Sequence, residues 1–309
     1  MNKKINKLLS CIFLFIILIE LFSHSTIVKQ SIYDSSKLWF YNLVPSILPM
    51  YLLIDISLNY QILNTLSKFL NPLMKLFKVK SESSFIFLLS ILSGFPSNSK
   101  YIKNAIENNY IEKDDINKLL VFTHFSNPLF IIESIGITFL NNKRIGILIL
   151  ISHYLGNFIL GFINRNSYCN TNSINKYSNN KKNSFITTLS NSITNTFSIL
   201  ILLYGIITFF MIITSLIQIN LNLNPILNSI ICGLFEITNG IKYTSNLNIP
   251  IIYKGSLITF FLSFGGFCIH MQVFSILKDY NINYLNYLKI RIVHAICSTS
   301  IFYLLMNFL

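Results

Sequence analysis

The chain has 309 residues, of which 52% are hydrophobic and 11% charged, and its mean hydropathy is +0.57. A soluble domain carries about 25% charged residues, so an ordinary water-soluble enzyme is excluded. A formal charge of +13 would suit nucleic acid only if the basic residues formed a water-facing patch. Here they lie in short polar connectors between long apolar runs, the pattern of a polytopic membrane protein whose partner is the lipid bilayer and not nucleic acid.

In chain order, residues 5–23, 38–60, 145–163, 193–218, 251–277 and 288–309 are predicted to cross the membrane, since each approaches the roughly 20 apolar residues that a spanning helix needs. The first follows Lys3, Lys4 and Lys7, holds Glu20, and has no small-x-small cleavage site after it. It is expected to stay as an anchor helix instead of leaving as a signal peptide. Residues 84–96 (SFIFLLSILSGFP) are too short: a dozen helical residues cover about 18 Å of a hydrocarbon core of about 30 Å. Residues 225–240 (PILNSIICGLFEITNG) share that design, and both are predicted to be re-entrant half-helices. Residues 119–140 are long enough to cross, but Ser126-Asn127-Pro128 falls at their centre, where proline removes a donor and disfavours helix at the residue before it. A broken helix is expected there. The nearly balanced charges of 101–118 predict a solvated amphipathic helix or hairpin. Cys11, Cys169, Cys232, Cys268 and Cys297 have no metal-like spacing and read as small core hydrophobes.

With a cytoplasmic N-terminus and two re-entrant segments, the inner connectors hold 18 of the 24 basic residues, as the positive-inside rule requires. Turning either short segment into a full crossing would move Arg165, Lys176, Lys181 and Lys182 to the other face.

The two halves also match. SGFPSNSKY aligns with FEITNGIKY at an offset of 142, FTHFSNPLF with FLSFGGFCI at 139, and ISHYL with IVHAI, pairing His153 with His294, at 141. Three matches in one order at nearly one offset indicate a duplication. Three crossings per half then set the second half upside down. The predicted fold is an all-α inverted-repeat bundle, transporter-like, with two re-entrant half-helices and broken helices, the design that places a solute site near the membrane midplane. Its parts are an anchor helix (1–30), a first gate-like repeat (38–165), a polar cytoplasmic linker (166–188) and a second gate-like repeat (189–309).

Candidate solute-binding residues follow from the interruptions. Ser97, Asn98 and Lys100 at the first tip, and Thr238, Asn239 and Lys242 at the second, combine turn chemistry with a lysine, and a helix restarting there would attract an anion. The same residues also fit plain turns, with the lysines snorkelling to the interface. Asn127 and Gly265-Gly266 mark the breaks opposite. Glu236 and Glu133 would suit a coupling ion, H+ or Na+. His124, His153, His270 and His294 titrate near neutrality as free side chains, or bond neighbouring helices. Neither GxSxG nor HExxH occurs, so no enzymatic activity, metal or cofactor is expected.

GLFEITNG (Gly233 to Gly240), SFGGFCIHMQVFSIL (Ser263 to Leu277, with His270 and Gln272), SGFPSNSK (Ser93 to Lys100) and NPLFIIESIG (Asn127 to Gly136) resemble the motifs of the YlbJ-type sporulation integral membrane proteins, of the nucleoside-recognition or gate-domain group. The resemblance runs from about residue 40 to the end. It implies a protein of the cell membrane or outer forespore membrane of a spore former, associated with moving dipicolinic acid into the spore. Dipicolinate is a small aromatic dianion, in agreement with anion-attracting tips. Ser126-Asn127-Pro128 stands where the family has a small SGP-like element, and Ser97-Asn98 where many members have a glycine after the tip proline. A nucleoside carrier and a non-transporting scaffold of the spore envelope are the alternatives, and self-association into a homo-oligomer stays open.

Overall fold

The structure is a computed structural model that describes residues 3–59, 69–70, 72–80, 83–107, 110–166 and 184–308. Most of the predicted linker 166–188, with Cys169, and much of the connector 61–83 lie outside the described residues. All regular secondary structure among the described residues is helical. Four stretches are long and apolar enough to cross a membrane: Lys143–Asn166, Phe185–Leu221, Ile251–Ile276 and Tyr284–Phe308. They coincide, within a few residues at each end, with the expected spans that begin at 145, 193, 251 and 288. The N-terminal region differs from the expectation. Helix α1 (Lys3–Ser23) meets the next helix at His24, and Leu14–Ser23 makes an angle of 96° with Ser25–Leu43. That second rod is α2 (Ser25–Leu38), continued by a π-wound turn, Trp39–Leu43, into α3 (Val44–Asn59).

Helix α2 looks polar in sequence because its serines face a partner and not water. Ser31, Ser35 and Ser36 meet Ser215 (2.9 Å), Thr208 (2.8 Å) and Tyr204 (2.8 Å) of α9 (Phe185–Leu221). Trp39 Nε1 donates to the Leu200 carbonyl at 2.8 Å. Small hydroxyl residues let two helices approach closely and bond where lipid offers no partner. At 37 residues, α9 is about 55 Å long, more than one bilayer crossing requires.

The remaining helices fall into two runs with the same order. The first is a helix hairpin, α4 (Ser84–Ser93) and α5 (Ser97–Glu107). A broken helix follows, formed by α6 (Asp115–Phe122), an irregular stretch, and the π-wound α7 (Phe130–Phe139). The unbroken α8 (Lys143–Ile163) closes the run. In the second run the hairpin is α10 (Pro225–Phe235) and α11 (Ile237–Ser245), the broken helix is α12 (Ile251–Phe264) and α13 (Gly266–Ile276), and the unbroken helix is α14 (Tyr284–Phe308). The expected breaks at Ser126-Asn127-Pro128 and Gly265-Gly266 are where helix is lost.

Glycine closes the second hairpin, because a Cβ on Gly240 would lie 2.1 Å from the Cα of Gly233. The polarity of α8 is the reverse of a soluble helix. Ile147, Ile151, Leu155 and Ile159, four residues apart, are exposed, while Ser152, His153 and Asn157 are fully buried. Such a helix is built for lipid outside and for polar contacts inside.

One end of the bundle gathers the connectors expected on the cytoplasmic side. Lys80 pairs with Glu112 (2.8 Å) and Asp115 (3.3 Å), Lys103 with Asp279 (3.1 Å), and Lys78 Nζ donates to Asn166 Oδ1 at 2.7 Å. Partial burial works to lower the Lys80 pKa, but hydrogen bonds and charge from Glu112 and Asp115 outweigh it and raise the value. The 101–118 connector is therefore not wholly solvated. Lys118 is buried and donates to the carbonyls of Lys78 and Arg165.

Candidate functional site

The two hairpin tips, the first helix break and the helix that restarts after the second break meet at one cavity of about 70 Å³. The first tip contributes Ser93, Phe95 and Pro96, the first break Ser126 and Asn127, the second tip Glu236, Ile237 and Thr238, and α13 Cys268, Ile269 and Gln272. Leu38, Leu43, Leu203 and Ile207 complete an apolar wall. A mostly apolar pocket with a few fixed polar groups is the usual form of a small-molecule site.

Each interruption carries its own cap. Glu236 is buried, and its carboxylate accepts from the backbone N–H groups of Thr238 (3.2 Å) and Asn239 (2.7 Å) at the start of α11. The amides expected to attract an anion at that tip are thus already held by a carboxylate of the chain. Asn127 Oδ1 likewise accepts from Leu129 N (2.8 Å) and Phe130 N (3.3 Å), starting the helix that resumes after Pro128. Both capping side chains line the cavity.

The backbone of the unwound stretch 123–127 and of the helical turn before it is not bare, because side chains from behind the cavity take its polar groups. Arg291 Nη2 donates to the Val121 carbonyl (2.9 Å) and Asn157 Nδ2 to that of Phe122 (2.7 Å). The tip supplies Phe95 N to the Phe125 carbonyl (2.6 Å), and Tyr154 OH reaches that of Ser126 (3.0 Å). Backbone that lipid cannot satisfy must be satisfied within the protein, and here this comes from α8, α14 and the first hairpin.

His153 ties the two breaks together. Its Nε2 receives the Ser126 backbone N–H at 3.0 Å, and its Nδ1 lies 2.9 Å from Ser263 Oγ, next to the Gly265 break. An amide N–H can only donate, so Nε2 accepts and the neutral ring's proton is on Nδ1, directed at Ser263. His294, in the equivalent place on α14, stacks 5.0 Å from His153 and directs Nε2 to the His153 carbonyl at 3.0 Å. Its Nδ1 then accepts from Arg291 Nη1 at 3.4 Å. His124 stacks on Phe95 with ring centroids 4.6 Å apart, separating this polar core from the cavity.

The remaining candidates are distributed as follows. Asn127, Glu236, Thr238 and Gln272 share the central cavity, and Gln272 Nε2 is 3.3 Å from Cys268 Sγ. Thr238, Asn239 and Lys242 line a second cavity of about 600 Å³ against α2. Ser97, Asn98 and Lys100 are buried outside the central lining: Asn98 Nδ2 donates to Thr123 Oγ1 (3.3 Å), and the Lys100 ammonium lies 4.5 Å from the Tyr51 ring centre. Gly265 (φ +90) and Gly266 (φ +55) make the α12–α13 break, and a side chain on Gly265 would meet the His124 ring at 3.0 Å. His270 bonds the Phe264 carbonyl at 2.9 Å, bracing that break and not facing the cavity. Glu133 is exposed on α7.

Sequence reasoning missed Arg291, Tyr154 and Asn157. Arg291 stands near the start of the predicted span 288–309, and its side chain is fully buried. The available signals were spacing: Asn157 lies four residues after His153 and Arg291 three before His294, each on one helix face.

In a comparison with curated proteins the chain is 25% identical, over 336 aligned positions covering 95% of this chain and 81% of the other, to the sporulation integral membrane protein YlbJ of Bacillus subtilis (strain 168). The likeness spans nearly the whole chain. Together with its membrane-length helices, this makes it an integral membrane protein homologous to a sporulation protein. No family model matches the sequence, and no solved structure matches it.

Proposed function

We propose that this protein is a YlbJ-type carrier or facilitator, and not an enzyme, that moves a small carboxylate, dipicolinate before others, across the outer forespore membrane. We read the two hairpins as re-entrant half-helices and the two runs of helices as inverted repeats. The observation that carries the reading is the convergence of both hairpin tips and the first helix break on one cavity, with the helix that restarts after the second break forming part of its wall. A scaffold has no use for interrupted helices at membrane depth, whereas a carrier needs them to hold a solute and to move.

The apolar and aromatic lining suits a flat ring, and Asn127, Gln272 and Thr238 offer donors to carboxylate oxygens. Glu236 is the one acidic residue of that lining. A dianion seated beside it would require that carboxylate to take up a proton or a sodium ion, so Glu236 is the proposed coupling residue. The second reading, a neutral solute such as a nucleoside, is favoured by one specific feature: the central lining has a carboxylate and two amides but no basic residue. Dipicolinate content of spores lacking the gene separates them. The carboxylate reading predicts a severe loss that the wild-type gene restores; normal content, with no second carrier present, would remove it.

A further inference from the structure

We propose that the 600 Å³ cavity beside α2 is a separate solute station, an electropositive vestibule in which Lys37 and Lys242 hold a small dianion next to the central cavity, at the end away from the basic connectors. The proposal rests on the carboxylate reading above and adds to it a second site and a residue outside the gate motifs.

Four observations carry it. The cavity is large enough for a hydrated small molecule and is walled by α2 and α11, with Lys37 on one side and Lys242 on the other. Both lysines are exposed, and neither forms an ion pair among the described residues. Lys37 lies over the Tyr33 ring, 4.3 Å from its centre. The one carboxylate in the lining, Asp34, is held by Gln30 Nε2 at 3.0 Å. The vestibule therefore carries a net positive charge, while the central cavity carries Glu236.

The two cavities also share walls. Leu38 and Thr238 line both. Thr238 and Lys242 are four residues apart on α11, one above the other on one face at about 6 Å. Lys37 and Leu38 adjoin on α2. A carboxylate would thus travel one helical turn between the Thr238 hydroxyl at the mouth of the central site and Lys242. Charges near water attract by long-range forces that salt screens, with a Debye length of about 8 Å at physiological ionic strength, so the station would act on binding at that face and not on the crossing itself.

The test is dipicolinate uptake into proteoliposomes, with equilibrium dialysis of labelled dipicolinate against the same purified protein. For the K37Q/K242Q double variant the expected result is a KM raised about tenfold at low salt with kcat within about twofold of wild type, a matching loss of affinity in dialysis, and recovery in K37R/K242R. Raising the ionic strength should raise the wild-type KM and leave the double variant nearly unaffected. An unchanged KM and affinity in K37Q/K242Q, or a loss confined to kcat, would overturn the proposal. Wild-type vesicles that bind dipicolinate through the lysines but do not take it up would instead overturn the transport reading and keep the station.

Discussion

Glu236 combines two roles that pull against each other. As a cap its carboxylate holds two amides of α11, a contribution of about 1–2 kcal/mol; as part of the cavity lining it is a buried charge with no cation beside it. Glu236→Gln is expected to keep one of the two acceptor bonds, lower the melting temperature in detergent by a few degrees and abolish any dependence of uptake on the coupling ion. Uptake that keeps its ion dependence in the variant would move the coupling site elsewhere. His153 is a different case, structural rather than solute-facing. Replacing it by phenylalanine strands the Ser126 amide and the Ser263 hydroxyl in a dry interior, at about 1–3 kcal/mol for each group. A thermal-shift measurement should show His153→Phe to be clearly less stable than Glu236→Gln; equal stability would mean that the bridge between the breaks contributes nothing. Arg291 is braced in the same way. An arginine at the centre of a membrane helix costs about 2.5–3.5 kcal/mol; Arg291, in the first third of α14, donates to the Val121 carbonyl and to Nδ1 of His294.

At the scale of elements, the hairpins depend on the absence of side chains at two positions. A Cβ at Gly240 would overlap Gly233, and one at Gly94 would come within 2.4 Å of the Asn127 amide at a backbone φ of +75. Gly240→Ala should prevent α10 and α11 from closing, and Gly94→Ala should part the first tip from its break; both are expected to lose folded protein in size-exclusion chromatography, whereas Gly205→Ala, with open space around it, should not. These tips and breaks were legible in the sequence because proline, paired glycine and short apolar runs punctuate helices on any backbone. The equivalence of His153 and His294 was legible too, as a repeated offset. Less legible was what lies behind the breaks. Tyr154, Asn157 and Arg291 are ordinary residues of long apolar helices, and which face they turn inward depends on packing that no local pattern records. Helix α2 is hidden for a related reason: its sequence is polar, and only the partners of its serines on α9 reveal a buried face.

For the molecule as a whole, charge and cavities point the same way. The basic connectors collect at one end, with Lys80 paired to Glu112 and Asp115, while the vestibule with Lys37 and Lys242 opens beside Phe139, at the other end of α8 from Asn166. Cysteine substitutions at Lys113 and Lys242 should therefore react with a membrane-impermeant maleimide from opposite sides of intact cells; labelling of both from one side would contradict the two-ended arrangement. The central claim is that a solute crosses through the cavity shared by the two hairpin tips and the first break. Uptake of labelled dipicolinate into proteoliposomes, comparing the wild-type chain with a Gln272→Leu, Asn127→Leu double variant shown to insert and fold, tests it most directly. Saturable wild-type uptake that falls at least tenfold in the variant is the predicted result. Wild-type uptake no faster than that of empty vesicles, or equal uptake in the two proteins, would contradict it.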